Sequence, residues 1–453
     1  MALAIAVVSL LVLRCRAYRR QVAFDTGCDC AYDFSGSSGK QFSVQVDAKG
    51  FKLPEQVGGF DTGFLEMKLG TSWAGRFLDP SLELVSGGLR TSVFFERGVS
   101  GTRQVNISPI LAHDGRISLR GRHLSWKNQN ATLRLWRNLP LKDDRILVVA
   151  PHPDDAEIAA HGLCSHRHLH IVTISAGNNL SWNLARLEPR SGPQAALAAR
   201  LRTWDSLTVP WMAGILPERS IQLAFPDGRL AEMHAAPQKN FTPEDYDFAG
   251  LRAMNQSKIK LSADGGCSWE SLLVDLRQII SELKPTLIVL PFPKYDNHLD
   301  HGFTTVAVCE ALRTLAGPPA RLLLYINHGL LTEHWPFGPA GTAVSLPPNH
   351  DGRMPVHGLW SRPLAPEAQR EKLLALEAMH DLREAPGLGI KTWKEIFRTV
   401  RGEVGTKVHG LERRPNNYFR RAVRANELFF VATWPQTKSL AESFAAEWRA
   451  KGQ

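Results

Sequence analysis

Cysteine is scarce: six in 453 residues, with no Cys-x-x-Cys pair. That excludes a disulfide scaffold. Cys28 and Cys30 flank a single residue and read as surface or core thiols. Long apolar runs are missing as well, and a mean hydropathy of -0.19 excludes a polytopic membrane protein. There is no Gly-x-Ser-x-Gly elbow, no Walker loop and no Gly-x-Gly-x-x-Gly, so serine hydrolase, nucleotidase and dinucleotide readings lack their motifs. No internal repeat or low-complexity run occurs. Acidic residues are in deficit: Asp+Glu number 44 against 54 Lys+Arg, a net +10. The surplus suits an anionic partner, whether nucleic acid, acidic lipid or anionic glycolipid, and does not choose among them.

What is present is the balance of a folded globular protein, 43% hydrophobic and 22% charged. The length calls for two or three domains. Residues 1–20 read as a hydrophobic anchor or membrane-dipping helix with an Arg-rich flank: 2–13 is uncharged and Arg14, Arg16, Arg19 and Arg20 follow. A secretory signal has its positive charge before the apolar run, not after it. The positive-inside rule then puts the following domain on the cytoplasmic side of an inner membrane, with the periplasmic side left open. Residues 21–140 alternate in short runs such as Phe42–Val46 and Thr132–Trp136, punctuated by Gly58-Gly59 and Gly87-Gly88, which predicts a β-sandwich of unassigned role. From 141 to 453 strands alternate with helices. This predicts an α/β domain with a Rossmann-like parallel sheet covered by helices on both faces. The insert 237–266 is polar and expected to be loop.

Two strand ends are dense in metal-type side chains. The first is Pro151-His152-Pro153-Asp154-Asp155-Ala156-Glu157, after the buried strand 145–150. An imidazole and a carboxylate three residues apart on a strand-to-helix turn can share one divalent ion. The packing alternative is equally open at this point: Asp154 as helix N-cap and Glu157 as its capping-box partner. The second is Lys294-Tyr295-Asp296-Asn297-His298-Leu299-Asp300-His301, after the strand 287–290. Packing does not explain two histidines and two aspartates within 296–301. Together the clusters supply His152, Asp155 and His301, a facial set suited to Zn²⁺.

The order of these motifs resembles the PIG-L/LmbE family of de-N-acetylases. His152-Pro153-Asp154-Asp155-Ala156-Glu157 with Gly162 behind it is similar to the family's first signature, and His298-Leu299-Asp300-His301 to its second. Lys284-Pro285, Phe225-Pro226-Asp227-Gly228-Arg229-Leu230 and Asn426-Glu427-Leu428-Phe429 fit its remaining pattern, so the resemblance spans roughly 143–434. It implies one Zn²⁺, or another divalent ion, on His152, Asp155 and His301. It implies Asp154 as the general base that takes a proton from the attacking water. His298 would stabilise the oxyanion or protonate the leaving amine, oriented by Asp300, and Asp227 would line the substrate pocket. The family's Arg-x-x-Glu is matched only by Arg202-Thr203-Trp204-Asp205, so Arg202 is the candidate substrate-binding arginine. The expected activity is zinc-dependent removal of an N-acetyl group from an N-acetylhexosamine, on an envelope glycolipid or polysaccharide precursor such as that of lipopolysaccharide. A membrane surface is an expected partner and nucleic acid is not. The rivals are another metal-dependent hydrolase, such as a phosphoesterase, and a glycan-binding protein with a vestigial metal site.

Other candidates are weaker. His161, His166, His168 and His170 suit a solvated basic turn better than a metal. Trp182, Trp204, Trp211, Trp269 and Trp335 offer sugar-stacking rings, of which one or two at most are expected to serve. His380 lies on an apolar-striped helix, in the core or behind the site.

Overall fold

The computed structural model describes residues 18–111, 115–138, 140–179, 194–262, 266–315, 317, 321–349, 354–382 and 418–451. The chain divides into two compact units. The first is Met1–Pro140 with His328–Arg370 and Gly389–Phe430; the second is Leu141–Asn327 with Glu371–Leu388 and Val431–Gln453. The division at 140/141 falls where the sequence pattern changes. The stretch 141–453 is not one uninterrupted domain, however, because the first unit takes back two of its segments. Residues 2–13, Arg14 and Arg16 lie outside the described residues. Arg19 and Arg20 are exposed. Among the described residues no helix is long and apolar enough to cross a membrane.

The first unit is built on antiparallel strands. After β1 (Tyr32–Asp33) come β2 (Lys40–Asp47), β3 (Gly50–Lys52), β4 (Thr62–Thr71), β5 (Ser81–Ser86), β6 (Leu89–Phe94), β7 (Gly101–Asn106), β8 (Arg116–Arg122), β9 (Leu124–Ser125) and β10 (Gln129–Trp136). Alternate residues face one core: Leu65, Met67 and Leu69 of β4 pack with Val44, Val46, Phe51, Leu82, Leu84, Val105, Ile117, Leu119 and Leu133. Each such side chain contributes roughly 1.5–3 kcal/mol on burial. The β5–β6 turn is Gly87-Gly88, whose φ values of 53° and 83° are those a two-residue hairpin turn demands. The hydrogen-bonded path β6-β5-β8-β3-β2-β10-β4-β7 is unbroken, with β9 on β4, because β10 pairs along both edges. Alternation reports which face is buried, and not which edges pair.

A buried ion pair pins one part of this unit. Arg103 Nε lies 2.8 Å from Glu96 Oε1, and the guanidinium also donates to the carbonyls of Thr26 and Cys28. Both side chains are buried, at 5% and 1% exposure. Taking Glu96 away strands a buried charge, unlike the loss of a surface partner. Glu96→Ala is expected to cost about 3–5 kcal/mol in urea unfolding. A loss under about 1 kcal/mol would mean the pair is a surface-like contact.

In the second unit β11 (Ile146–Ala150), β12 (Leu169–Ser175), β13 (Ser220–Phe225), β14 (Leu287–Pro291) and β15 (Arg321–Tyr325) run parallel in the order β13-β12-β11-β14-β15. β11 and β14 are buried along their whole length, so they read as unbroken apolar runs. The chain winds outward from β11 through β12 to β13, then returns to start again at β14 on the other side of β11. The carboxyl ends of β11 and β14 therefore flank the point where the strand order reverses, the usual place for a ligand crevice. Helix α1 (Asp155–Ala160) follows β11, and α2 (Gln194–Thr208) follows β12. Helix α3 (Leu230–Ala235) lies just before the insert expected to be loop, and the insert itself contains α4 (Phe248–Ala253). Asp247 caps α4 by accepting from the Gly250 amide. Helix α5 (Trp269–Leu283) opens on a Ser268/Ser271 capping box and stops at Lys284, left-handed at φ 46°, before Pro285. Helix α6 (Leu299–Arg313) begins three residues earlier than its apolar pattern suggests, which puts Asp300 and His301 in its first turn.

Candidate metal centre

The turn after β11 carries His152, Asp154 and Asp155. Asp155 Oδ2 accepts from the His152 amide at 3.0 Å and lies 3.2 Å from His152 Nδ1. It lies 3.2 Å from His301 Nε2 as well, so one carboxylate oxygen faces both imidazoles. Its other oxygen is engaged: Asn327 Nδ2, just past β15, donates to Asp155 Oδ1 at 2.7 Å. The expected set His152, Asp155 and His301 is thus brought together from two strand ends and held by a third.

Asp296 supports the other side of His301. Its Oδ2 is 3.1 Å from His301 Nδ1 and accepts from the Asn327 amide at 2.8 Å, while Oδ1 accepts from the His298 amide. A carboxylate behind a ligating imidazole fixes its tautomer and raises its basicity. His298 completes the group, its ring 4.6 Å from that of His152 and 5.1 Å from that of His301.

The middle motif closes the crevice. Asp227 Oδ1 is 3.1 Å from His152 Nε2, and Asp300 Oδ2 is 3.4 Å from the same nitrogen. Asp300 was expected to orient His298. Its oxygens instead accept from the Gly228 and Leu230 amides at 2.7 and 3.2 Å, so it ties the middle-motif turn to α6. Arg202 reaches the crevice from α2, but as a buried counter-ion. Its guanidinium donates to the Pro153 and Gly177 carbonyls and lies 3.7 Å from Asp154, 3.8 Å from Asp227 and 3.5 Å from Asp381. With 8% of its side chain exposed, it is a poor candidate for direct contact with a sugar. Gly177, at φ 63°, lies flat against it, where a Cβ would stand 2.7 Å from the guanidinium carbon.

Asp154 sits at the N-cap of α1 with no capping hydrogen bond from its side chain among the described residues. Glu157 is fully buried. The capping-box alternative therefore fails, and the backbone of Asp154 is held at φ 128°, an outlier costing about 1–3 kcal/mol. Such strain persists where the surroundings over-determine it, often at functional sites.

The charge pattern asks for a cation. Burial alone would lower the His301 pKa, yet Asp155 and Asp296 outweigh it and push it up to about 10. His152 is likewise raised, burial being overcome by Asp227 and Asp155. Burial, then the charges of His152 and His301, bring His298 down to about 4, so its ring stays neutral at pH 7. Burial and then Asp155 push Asp154 up, against Arg202. His152 Nε2 is buried with no hydrogen-bond partner among the described residues, although two carboxylates stand beside it. One ligand atom each from His152, His298 and His301 falls within 4.8 Å of the others, and the same holds for His152, Asp227 and Asp300. These nitrogen and oxygen donors, with a surplus of buried carboxylates, fit a divalent ion.

Asp296 carried no role in the sequence reading, although it stands in the second cluster. Asn327 and Asp381 were missed. Asn327 was findable as a polar residue at a parallel strand's carboxyl end; nothing in the pattern points to Asp381. The four-histidine cluster does not join the centre's donor groups: His161 is buried and lowered to about 3 by burial and Lys372, and His166 meets the Leu141 carbonyl. His380 pairs with Asp205 behind the site. Trp269 and Trp335 are buried, Trp204 and Trp211 exposed, and Trp182 lies outside the described residues.

Residues 147–312 match the model of the PIG-L family, described as GlcNAc-PI de-N-acetylase. Both metal-type motifs lie within that segment. No curated protein matches the chain. Among solved structures, the hydratase GalB of Pseudomonas putida KT2440, which acts on 4-carboxy-2-hydroxymuconate, is 14% identical, covering 56% of this chain and 83% of its own at a TM-score of 0.27. A Podospora anserina GH26-CBM35 β-(1,4)-mannanase is 10% identical, covering 77% of each chain at a TM-score of 0.16. At these scores neither likeness bears on fold or function.

Proposed function

We propose that the protein is a zinc-dependent amide hydrolase that removes the acetyl group from an N-acetylhexosamine, a reading supported by the match of residues 147–312 to the PIG-L de-N-acetylase model. One observation carries this reading: His152 and His301, from two different strand ends, converge on the single oxygen Asp155 Oδ2 with Asp154 beside them. These three would hold the ion on a Rossmann-like sheet. A bound Zn²⁺ supplies Lewis acidity, lowering the pKa of water towards about 7 and polarising a carbonyl.

The chain's own groups do the rest. Asp154 takes a proton from water as its oxygen bonds to the acetyl carbon. His298 would stabilise the oxyanion or relay to the departing nitrogen the proton that Asp154 took; the C–N bond breaks, the amine leaves with that proton, and acetate follows. Asp300 holds the middle-motif turn so that Asp227 faces the substrate. Arg202 supplies the positive charge that offsets the repulsion between Asp154 and Asp227. The finer reading is an acceptor on an envelope glycolipid or polysaccharide precursor, reached at a membrane surface on the cytoplasmic side. It rests on the uncharged stretch 2–13, its arginine flank and the net +10.

Purified full-length protein loaded with zinc is expected to release acetate and a free amine in equal amounts from at least one member of a panel of N-acetylhexosaminides. Chelation should abolish release and zinc restore it. No acetate from any amino-sugar acceptor, with about one zinc bound per chain, overturns the reading.

A further inference from the structure

Asp381 arrives at the crevice from beyond the matched segment 147–312. It lies in the turn after helix α7 (Pro366–Ala378), with its Oδ2 3.5 Å from Arg202 Nη1. That turn is gripped by α2. Asp205, one helical turn past Arg202, accepts from the His380 amide at 2.8 Å and from His380 Nδ1 at 2.7 Å. Residues 202 and 205 face the same way on a helix, so one face of α2 holds the turn and receives its carboxylate. Near the start of the same segment, buried Lys372 donates from Nζ to the Ile158 carbonyl at 2.7 Å, on the helix that carries Asp155. The segment therefore touches α1 and α2, two of the three helices that bring side chains to the crevice.

The guanidinium sits among three carboxylates, none within 3.4 Å, while its closest contacts are the Pro153 and Gly177 carbonyls. Arg202 Nε is buried without a hydrogen-bond partner among the described residues. The guanidinium is thus shared, bound tightly to no single carboxylate. Remove one of the three anions and the remaining two, Asp154 and Asp227, draw it in.

We propose that Asp381 is a positioning residue: it balances Arg202 so that Asp154 stays available, and the His380–Asp205 pair keeps it in place. Only the catalytic consequence rests on the deacetylase reading. The positional claim concerns the loops at 153 and 177 and stands by itself.

The test uses full-length protein with Asp381→Asn, Asp381→Glu and, as a second route that leaves the carboxylate intact, His380→Gln. Asp381→Asn is expected to lower kcat for acetate release by about 10-fold or more with KM within about 2-fold and zinc content unchanged. Asp381→Glu should restore most of the rate, and His380→Gln should move kcat the same way by less. Hydrogen exchange of peptides spanning 152–156 and 176–179 should quicken in Asp381→Asn and recover in Asp381→Glu. Unchanged exchange overturns the proposal. So does an unchanged kcat, and so does a rise in KM alone, which would place Asp381 against substrate. If the wild type releases no acetate, the deacetylase reading fails, and exchange alone decides the positional claim.

Discussion

Asp154→Asn is expected to lower kcat for acetate release by about 10²–10⁴-fold, the usual contribution of a general base, while zinc content stays at that of the wild type. The two halves of this expectation come from different contacts. Asp155, not Asp154, offers an oxygen to both His152 and His301. Asp154 projects from a backbone at φ 128° towards Arg202, 3.7 Å away. Asparagine keeps the volume and the backbone position but cannot take a proton. It also removes a buried anion next to Asp155, so the thermal midpoint should hold or rise. Steady-state kinetics with metal analysis on the same samples decides the matter. Loss of zinc with loss of rate would make Asp154 a ligand, and retained rate would remove it from the reaction.

How far the sequence carried this reading depended on whether a signal was local. The buried runs at 146–150 and 287–291 are unbroken because both faces of a parallel strand are covered. Their ends are where ligands go, so His152, Asp155 and His301 could be chosen together. The turn chemistry at Gly87-Gly88 and the stop at Lys284-Pro285 was equally plain. What local pattern cannot carry is edge pairing and long-range return. β10 pairs on both sides, joining β2 and β4 into one path. The first unit recovers 328–370 and 389–430 from a stretch that reads as continuous α/β. At the site, Asp300 follows His298 by two residues and was expected to orient it. Helix α6 starts at Leu299, however, and its first turn aims Asp300 at the amides of Gly228 and Leu230. Asp381 is the extreme case, brought in by a contact across more than 170 residues from Arg202.

Asp155→Ala is expected to weaken zinc binding beyond the 10–100-fold typical of outer-shell partners, and Asp300→Asn to stay within that range. Two donor groups compete for His152 on distance alone: His301 with Asp155, and Asp227 with Asp300. Hydrogen bonding separates them. Asp300 spends Oδ2 on the Gly228 amide and Oδ1 on the Leu230 amide, so both of its oxygens are tied to the middle-motif turn. Asp155 accepts on Oδ1 from the Asn327 side chain and on Oδ2 from the amide of His152 itself, so its one backbone bond lies within the metal-side turn and Oδ2 stays turned towards both imidazoles. Asp300→Asn places an NH₂ against an amide donor, loosens the turn at 228–230, and should lower kcat through Asp227 more than it lowers zinc affinity. Competition against a chromophoric chelator measures both variants on one scale. The reverse order, with Asp300→Asn losing the metal and Asp155→Ala keeping it, would move the ligand set to the middle motif. It would leave Asp155 as the carboxylate that orients His301 from the opposite edge to Asp296.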